Sequence, residues 1–267
     1  MNGHSELLDV VLAPGGIRCV LQPIFDMGDG QRRMAAVECL SRGPRGTNLE
    51  RPNILFEYVR LKKEEATVDR ACSVAGLTAA ATLPSDLNID INIHASTMSR
   101  DQNFAEFLQG AAEACGIEPS RVVVEIVEHS PYWDGPSFAH TLAELRRAGM
   151  AIALDDVGIG LSNYKMMIDA RPDYLKIDRY LVDGCSRDAY RRAILASIQS
   201  FGSSVGAQIV AEGVEEPEDL RTLLGMGIHL IQGFLLSRGR TAAELTESGL
   251  FIPEIHPFRP SPSLALC

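Results

Sequence analysis

No apolar run in the 267 residues approaches the ~18 needed to span a bilayer. The opening MNGHSELLDVVL has no basic stretch ahead of an apolar one, which argues against a secretory leader. A cytoplasmic protein is therefore expected. Basic charge is also short: Lys and Arg total 25 against 35 Asp and Glu, a formal net charge of −10. A binder of polymeric nucleic acid needs a basic field, so that class is disfavoured. A small anionic ligand stays open, because a local cation outweighs the global field at short range. The six cysteines (19, 39, 72, 115, 185 and 267) form no C-x-x-C pair and no Cys/His cluster of zinc spacing. Reduced thiols are expected. No G-x-G-x-x-G follows the first strand-like run, which removes the usual dinucleotide-binding sheet. No internal repeat is present.

What is present is an alternation. Strand-like runs fall at Cys19–Phe25, Met34–Arg42, Leu87–Ile93, Arg121–Glu128, Ala151–Val157, Tyr174–Asp178, Ala207–Val214 and Leu230–Ser237. Several are almost wholly apolar, as suits parallel strands covered on both faces. Helical stretches lie between them: Ile54–Leu83, Gln102–Cys115, Phe138–Ala148, Arg187–Phe201 and Pro217–Met226. Four of these are followed by a glycine (116, 149, 202, 227), a common helix stop. The pattern predicts an α/β fold, a (β/α)₈ TIM-like barrel. Only MGDGQRRM separates the first two runs, too short for a helical crossover, and Asp29-Gly30 is a hairpin signal. The first strand is therefore expected antiparallel to the second. Residues 17–251 are assigned to the barrel, 1–16 to an N-terminal extension and 252–267 to a Pro-rich tail. The first ~12 residues read as peripheral.

Acids and amides recur at the C-terminal ends of the predicted strands: Glu38, Asn92, Glu125 with Glu128, Asp155 with Asp156, Asp178 beside Lys176, Glu212 with Glu215, and Gln232. In a barrel those ends converge on one face, where the active site is built. Unit charges ~4 Å apart repel by about 4 kcal/mol at an effective dielectric of 20, so such a cluster needs protons or cations. Apart from His94 and His129 nearby, no soft ligand accompanies it. An all-oxygen shell points to Mg²⁺ or Mn²⁺ rather than zinc. Adjacent Asp155 and Asp156 reach one site only where the backbone turns at the strand end. VGIG supplies glycines for that turn. Two adjacent acids suit two ions, and a metal pair ~3.5–4 Å apart is a usual device for in-line displacement at a phosphodiester. Lys176 reads either as a neutralising ion pair or as a group that orients hydroxide and counters phosphate charge. Arg42, on the Glu38 side of its strand, reads either as a surface arginine or as a fork for a phosphate oxygen.

These residues carry a resemblance. LQPIFD (21–26), VECLSR (37–42) in place of E-A-L-x-R, NIHAS (92–96), EIVEH (125–129), ALDDVGIG (153–160) in place of D-D-F-G-x-G, YLKIDR, IVAEGVE and QGF occur in order. The sequence resembles the EAL-domain phosphodiesterases of bacteria, which hydrolyse the second messenger cyclic di-GMP to linear 5′-pGpG. The resemblance implies metal ligation by Glu38, Asn92, Glu125 and Asp155, with Asp156 bridging to or holding a second ion. It implies that Glu212 ligates metal or acts with Lys176 on the nucleophilic water, and Glu38 joins them in the catalytic set. Glu128 anchors the loop after Asp156, Arg42 and Gln232 bind substrate, and Asp178 belongs to the surroundings. A homodimer is among the arrangements it allows. Cys39 replaces the family's Ala on the side of the strand facing the helices, where a small thiol is tolerated. Val157 and Ile159 replace Phe and Thr in the loop, so a hydroxyl that ties it is missing. A catalytically silent cyclic di-GMP receptor or protein-interaction module is therefore the competing expectation. A Schiff-base lyase using Lys176 is a third. The chain is either free-standing or excised from a longer protein.

Overall fold

The computed structural model describes residues 5–127, 134–159 and 164–249. Eight strands close a barrel in sequence order. They are β1 (Arg18–Asp26), β2 (Arg33–Arg42), β3 (Asn88–His94), β4 (Val122–Val127), β5 (Ala151–Val157), β6 (Tyr174–Ile177), β7 (Gln208–Ala211) and β8 (Leu230–Ile231). β1 runs antiparallel to both β2 and β8, and every other pairing is parallel. The hairpin turns as its sequence demands, with Gly30 in the left-handed region at φ 78°.

The helices among the described residues are α1 (Ser5–Leu12), α2 (Pro52–Lys62), α3 (Glu65–Ala80), α4 (Ala95–Arg100), α5 (Phe104–Ala114), α6 (Gly135–Arg147), α7 (Tyr164–Ala170), α8 (Arg179–Val182), α9 (Ala189–Val205), α10 (Pro217–Gly225) and α11 (Ala242–Glu247). None is long and apolar enough to cross a membrane. The large core lies between barrel and helices, from Leu21, Val37, Ile91, Val124, Leu154 and Ile209 on the strands to Leu77, Leu108, Leu142 and Leu195 on the helices. Cys39 faces this layer against Gly76 of α3, where a Cβ would lie 3.0 Å from Cys39 Cβ.

Four expectations need correction. The stretch read as one helix from Ile54 to Leu83 is two, because Lys63 turns left-handed at φ 59° and its N–H bonds the Arg60 carbonyl. No Gly or Pro marks that break. The glycine stop placed at Gly202 lies instead inside α9, packed so tightly that a Cβ would meet Ile209 Cδ1 at 2.7 Å, and Gly206 ends the helix at φ 77°. The last two strands are short, because beyond Ala211 and Ile231 the chain leaves the sheet for loops. The N-terminal stretch read as peripheral forms α1, whose Val11 is 1% exposed and packs with Leu49, Leu55, Val59, Val68 and Cys72.

Candidate active site

Side chains alternate along a strand, so every second residue of the barrel points to its axis. Near the N-terminal ends the axis is filled by Ile24, Ala36, Val123, Ala151, Ala153, Tyr174, Val210 and Leu230. Two residues further along these strands stand Glu38, Glu125, Asp155, Lys176, Glu212 and Gln232, and β3 adds Asn92 beside Glu125 in register. Alternation alone brings them to one level. Asp155 and Asp156 both reach it because the β5–β6 register slips between Leu154 and Val157 and Asp156 turns left-handed at φ 53°. The turn thus falls on Asp156 itself, with Gly158 following at φ 100°.

Lys176 holds the centre. It is 1% exposed, and its Nζ lies 2.5 Å from Glu125 Oε2, 2.6 Å from Glu212 Oε1 and 3.1 Å from Glu38 Oε2. Glu38 also accepts from Asn92 Nδ2 at 2.9 Å and Gln232 Nε2 at 2.7 Å. Burial opposes its charge, but Lys176 and the two amide donors win and hold Glu38 below the usual carboxylate range. Glu125 and Glu212 go the other way. Burial and the neighbouring acids push both well up, against the pull of Lys176. Asp155 rises for the same reasons. Asp156 is pushed up to about 7 by burial, then by Asp155 and Asp178. Lys176 is raised because the surrounding carboxylates outweigh its burial. One ammonium therefore faces four acids, two buried (Glu38, Glu125) and two half-buried (Asp155, Glu212).

That deficit is the test for a cation. Glu38, Glu125 and Glu212 each offer a carboxylate oxygen within 4.8 Å of the others, and Glu125 Oε1 is buried with no hydrogen-bond partner. A hard, all-oxygen donor set with an orphaned carboxylate oxygen fits a divalent ion. Asn92 and Asp155 border the same level and line a cavity of about 260 Å³ that also touches Arg42 and Asp156. Arg42 is half-buried and gives one Nη1 bond to the Ser41 carbonyl at 2.9 Å. Asp178 caps α8 through Tyr180 N at 2.6 Å, while Glu215 sits outside the cluster and pairs with Arg179 at 2.9 Å. Glu128 and His129 lie outside the described residues.

Three buried groups escape the strand-end reading. Asp90, one layer below, has an unpartnered Oδ1 and is pushed up to about 7 by burial, despite Lys176. Asp69 of α3 is 1% exposed and accepts from His94 N (2.9 Å), His94 Nδ1 (2.8 Å) and Thr97 Oγ1 (2.5 Å). Burial would lower the His94 pKa, but the Asp69 carboxylate outweighs it and raises it. The available signal was an acid on the buried stripe of α3, between Val68 and Cys72.

Known proteins bear on this geometry. The antirepressor BluF of Escherichia coli is 27% identical over 210 residues, covering 78% of this chain and 51% of that protein. The cyclic di-GMP phosphodiesterase PdeL of E. coli is 30% identical over 155 residues, 58% of this chain and 42% of that protein. The chain thus spans about half or less of the length of these relatives. Among solved structures, Klebsiella pneumoniae BlrP1 in complex with calcium and cyclic di-GMP superposes with a TM-score of 0.75 at 28% identity, covering 84% of this chain and 56% of that one. A model of the EAL domain matches residues 7–239, and the chain belongs to the EAL domain family.

Proposed function

We propose that this chain hydrolyses cyclic di-GMP to linear 5′-pGpG with Mg²⁺ or Mn²⁺, two ions per site, in the bacterial cytoplasm. The carrying observation is the meeting of Glu38, Glu125 and Glu212 within 4.8 Å at the mouth of the barrel, with one carboxylate oxygen orphaned. The metal and dinucleotide named in the BlrP1 complex support the same reading. Glu38, Asn92, Glu125 and Asp155 would hold one ion, with Asp156 and Glu212 reaching the second. Bound divalent ions would neutralise phosphate charge and acidify a water molecule.

The protein groups do the rest. Hydrolysis consumes one water, breaks one P–O3′ bond, leaves the phosphate on the 5′ oxygen and returns a proton to the 3′ oxygen. Glu212, beside Lys176 at the mouth of the barrel, is the carboxylate placed to take the water proton. Lys176, 2.6 Å from Glu212 Oε1, orients that carboxylate and counters charge developing on the phosphate. Gln232 and Asn92 hold Glu38 in place by two hydrogen bonds. Arg42 on the cavity wall binds a phosphate oxygen. Purified protein incubated with cyclic di-GMP and Mn²⁺ should yield 5′-pGpG by chromatography. Tight binding with no product across Mg²⁺ and Mn²⁺ would overturn the enzymatic reading.

That second outcome is the receptor reading, a silent module that signals by binding. It is favoured by the relative named an antirepressor rather than a hydrolase, and by Lys176, which already bridges the three carboxylates.

A further inference from the structure

His94 stands on the same face of β3 as Asn92, one alternation nearer the mouth, and lines the cavity beside the carboxylate ring. Asp69 holds both the ring and its backbone: Nδ1 lies 2.8 Å from Asp69 Oδ1, and the His94 backbone N–H lies 2.9 Å from the other Asp69 oxygen. Thr97 fixes Asp69 in turn at 2.5 Å. Across the cavity lining, Phe56 of α2 meets the imidazole at a centroid distance of 5.5 Å and a tilt of 59°. Pro52, at the first turn of α2, borders the same space. The lining thus combines an aromatic, weakly polar stretch with the polar side chains of Asn92, Asp155 and Arg42.

A nucleotide has the same two-sided character: an anionic phosphate and a flat base. With the phosphodiester at the carboxylate level, the aromatic stretch of the same cavity is a surface open to an adjoining base, His94 offering the small part of its ring that is not buried. Aromatic side chains hold bases by stacking and edge contacts, and a ring that cannot rotate loses little freedom on doing so. Asp69 supplies that rigidity from outside the cavity.

We infer that His94 contacts a purine base of the substrate, with Phe56 as its neighbour in the wall and Asp69 as the positioning residue that sets the ring. This rests on the reading of the site as a cyclic di-GMP hydrolase.

The test compares wild type, His94→Asn, His94→Phe and Asp69→Asn in steady-state hydrolysis of cyclic di-GMP with Mn²⁺. Asparagine keeps a donor where Nδ1 stands, so the bond to Asp69 survives while the ring is removed. The expected result for His94→Asn is a KM raised about tenfold, with kcat within about twofold, measured below the variant's melting temperature. Phenylalanine restores the flat wall and should return KM to within about threefold of wild type. Asp69→Asn should raise KM less than His94→Asn. An unchanged KM in His94→Asn, with wild type turning over, overturns the inference alone. A kcat loss with KM unchanged does the same, since it would place His94 in the chemistry. If His94→Asn melts early, a raised KM in His94→Phe at wild-type stability counts against a stacking wall. Wild type that neither binds nor hydrolyses cyclic di-GMP overturns the functional reading and this inference with it.

Discussion

Two layers of side chains fill the same barrel and obey opposite rules. The lower one, Ile24, Ala36, Val123, Ala151, Ala153, Tyr174, Val210 and Leu230, is a packed plug. The upper one, reached by a further step of two residues along several of the same strands, gathers four acids around one lysine. The plug gains by excluding water. The ring above it is desolvated and short of positive charge, which costs stability until a cation arrives. The same backbone geometry therefore packs apolar side chains at one level and gathers charged ones at the next.

Substitutions should separate the two levels. Glu38→Gln is expected to cost turnover on the order of 10²–10³-fold, the scale for removing one charge-stabilising group. Leu230→Ala should do the reverse, costing about 2–4 kcal/mol in urea denaturation while turnover below its melting point persists. A Leu230→Ala protein that folds well but is inactive would break the separation.

Metal removal tests the charge deficit itself. Chelated protein should lose turnover, and Mg²⁺ or Mn²⁺ should restore it and stabilise the fold by about 2.7 kcal/mol at a hundredfold excess over Kd, read as a higher melting temperature. Calcium should bind yet support little turnover, because its coordination is larger and looser.

The pH dependence of chelated protein follows with a definite sign. Glu125 and Glu212 have folded pKa values raised above their ordinary 4.5. Between those values the folded state binds more protons than the unfolded one, so stability falls as pH rises. Urea midpoints of the metal-free protein should therefore decline from about pH 4.5 upward, and less steeply in Glu125→Gln. A rise over that window would contradict the burial of these acids. The smallest expected effect lies between the layers. Asp90→Val removes a buried carboxyl with an orphaned oxygen and should stabilise by about 1 kcal/mol in thermal melts.

The barrel and its antiparallel first strand were legible because both follow from spacing: eight short runs, helical crossovers and one eight-residue hairpin connection. The ring of Glu38, Asn92, Glu125, Asp155, Lys176, Glu212 and Gln232 was legible because strand ends converge in any barrel. Glu215 satisfied the same rule and turned aside to pair with Arg179, while Asp178 caps a helix at the edge of the cluster and still acts on Asp156. Position along the chain does not say which way a loop residue faces. The break at Lys63 was hidden because a lysine took the left-handed role usually given to glycine. The Asp69–His94 pair was hidden because its members lie 25 residues apart on different elements.

The central claim is that the upper ring grips divalent ions and uses them on a phosphodiester. Its most direct test is the Mn²⁺-dependent rate of 5′-pGpG formation from cyclic di-GMP, measured side by side for wild type and Glu38→Gln. The account predicts steady metal-dependent product from wild type and almost none from the variant. Equal rates from the two proteins, or product that forms equally well in chelator, would contradict it.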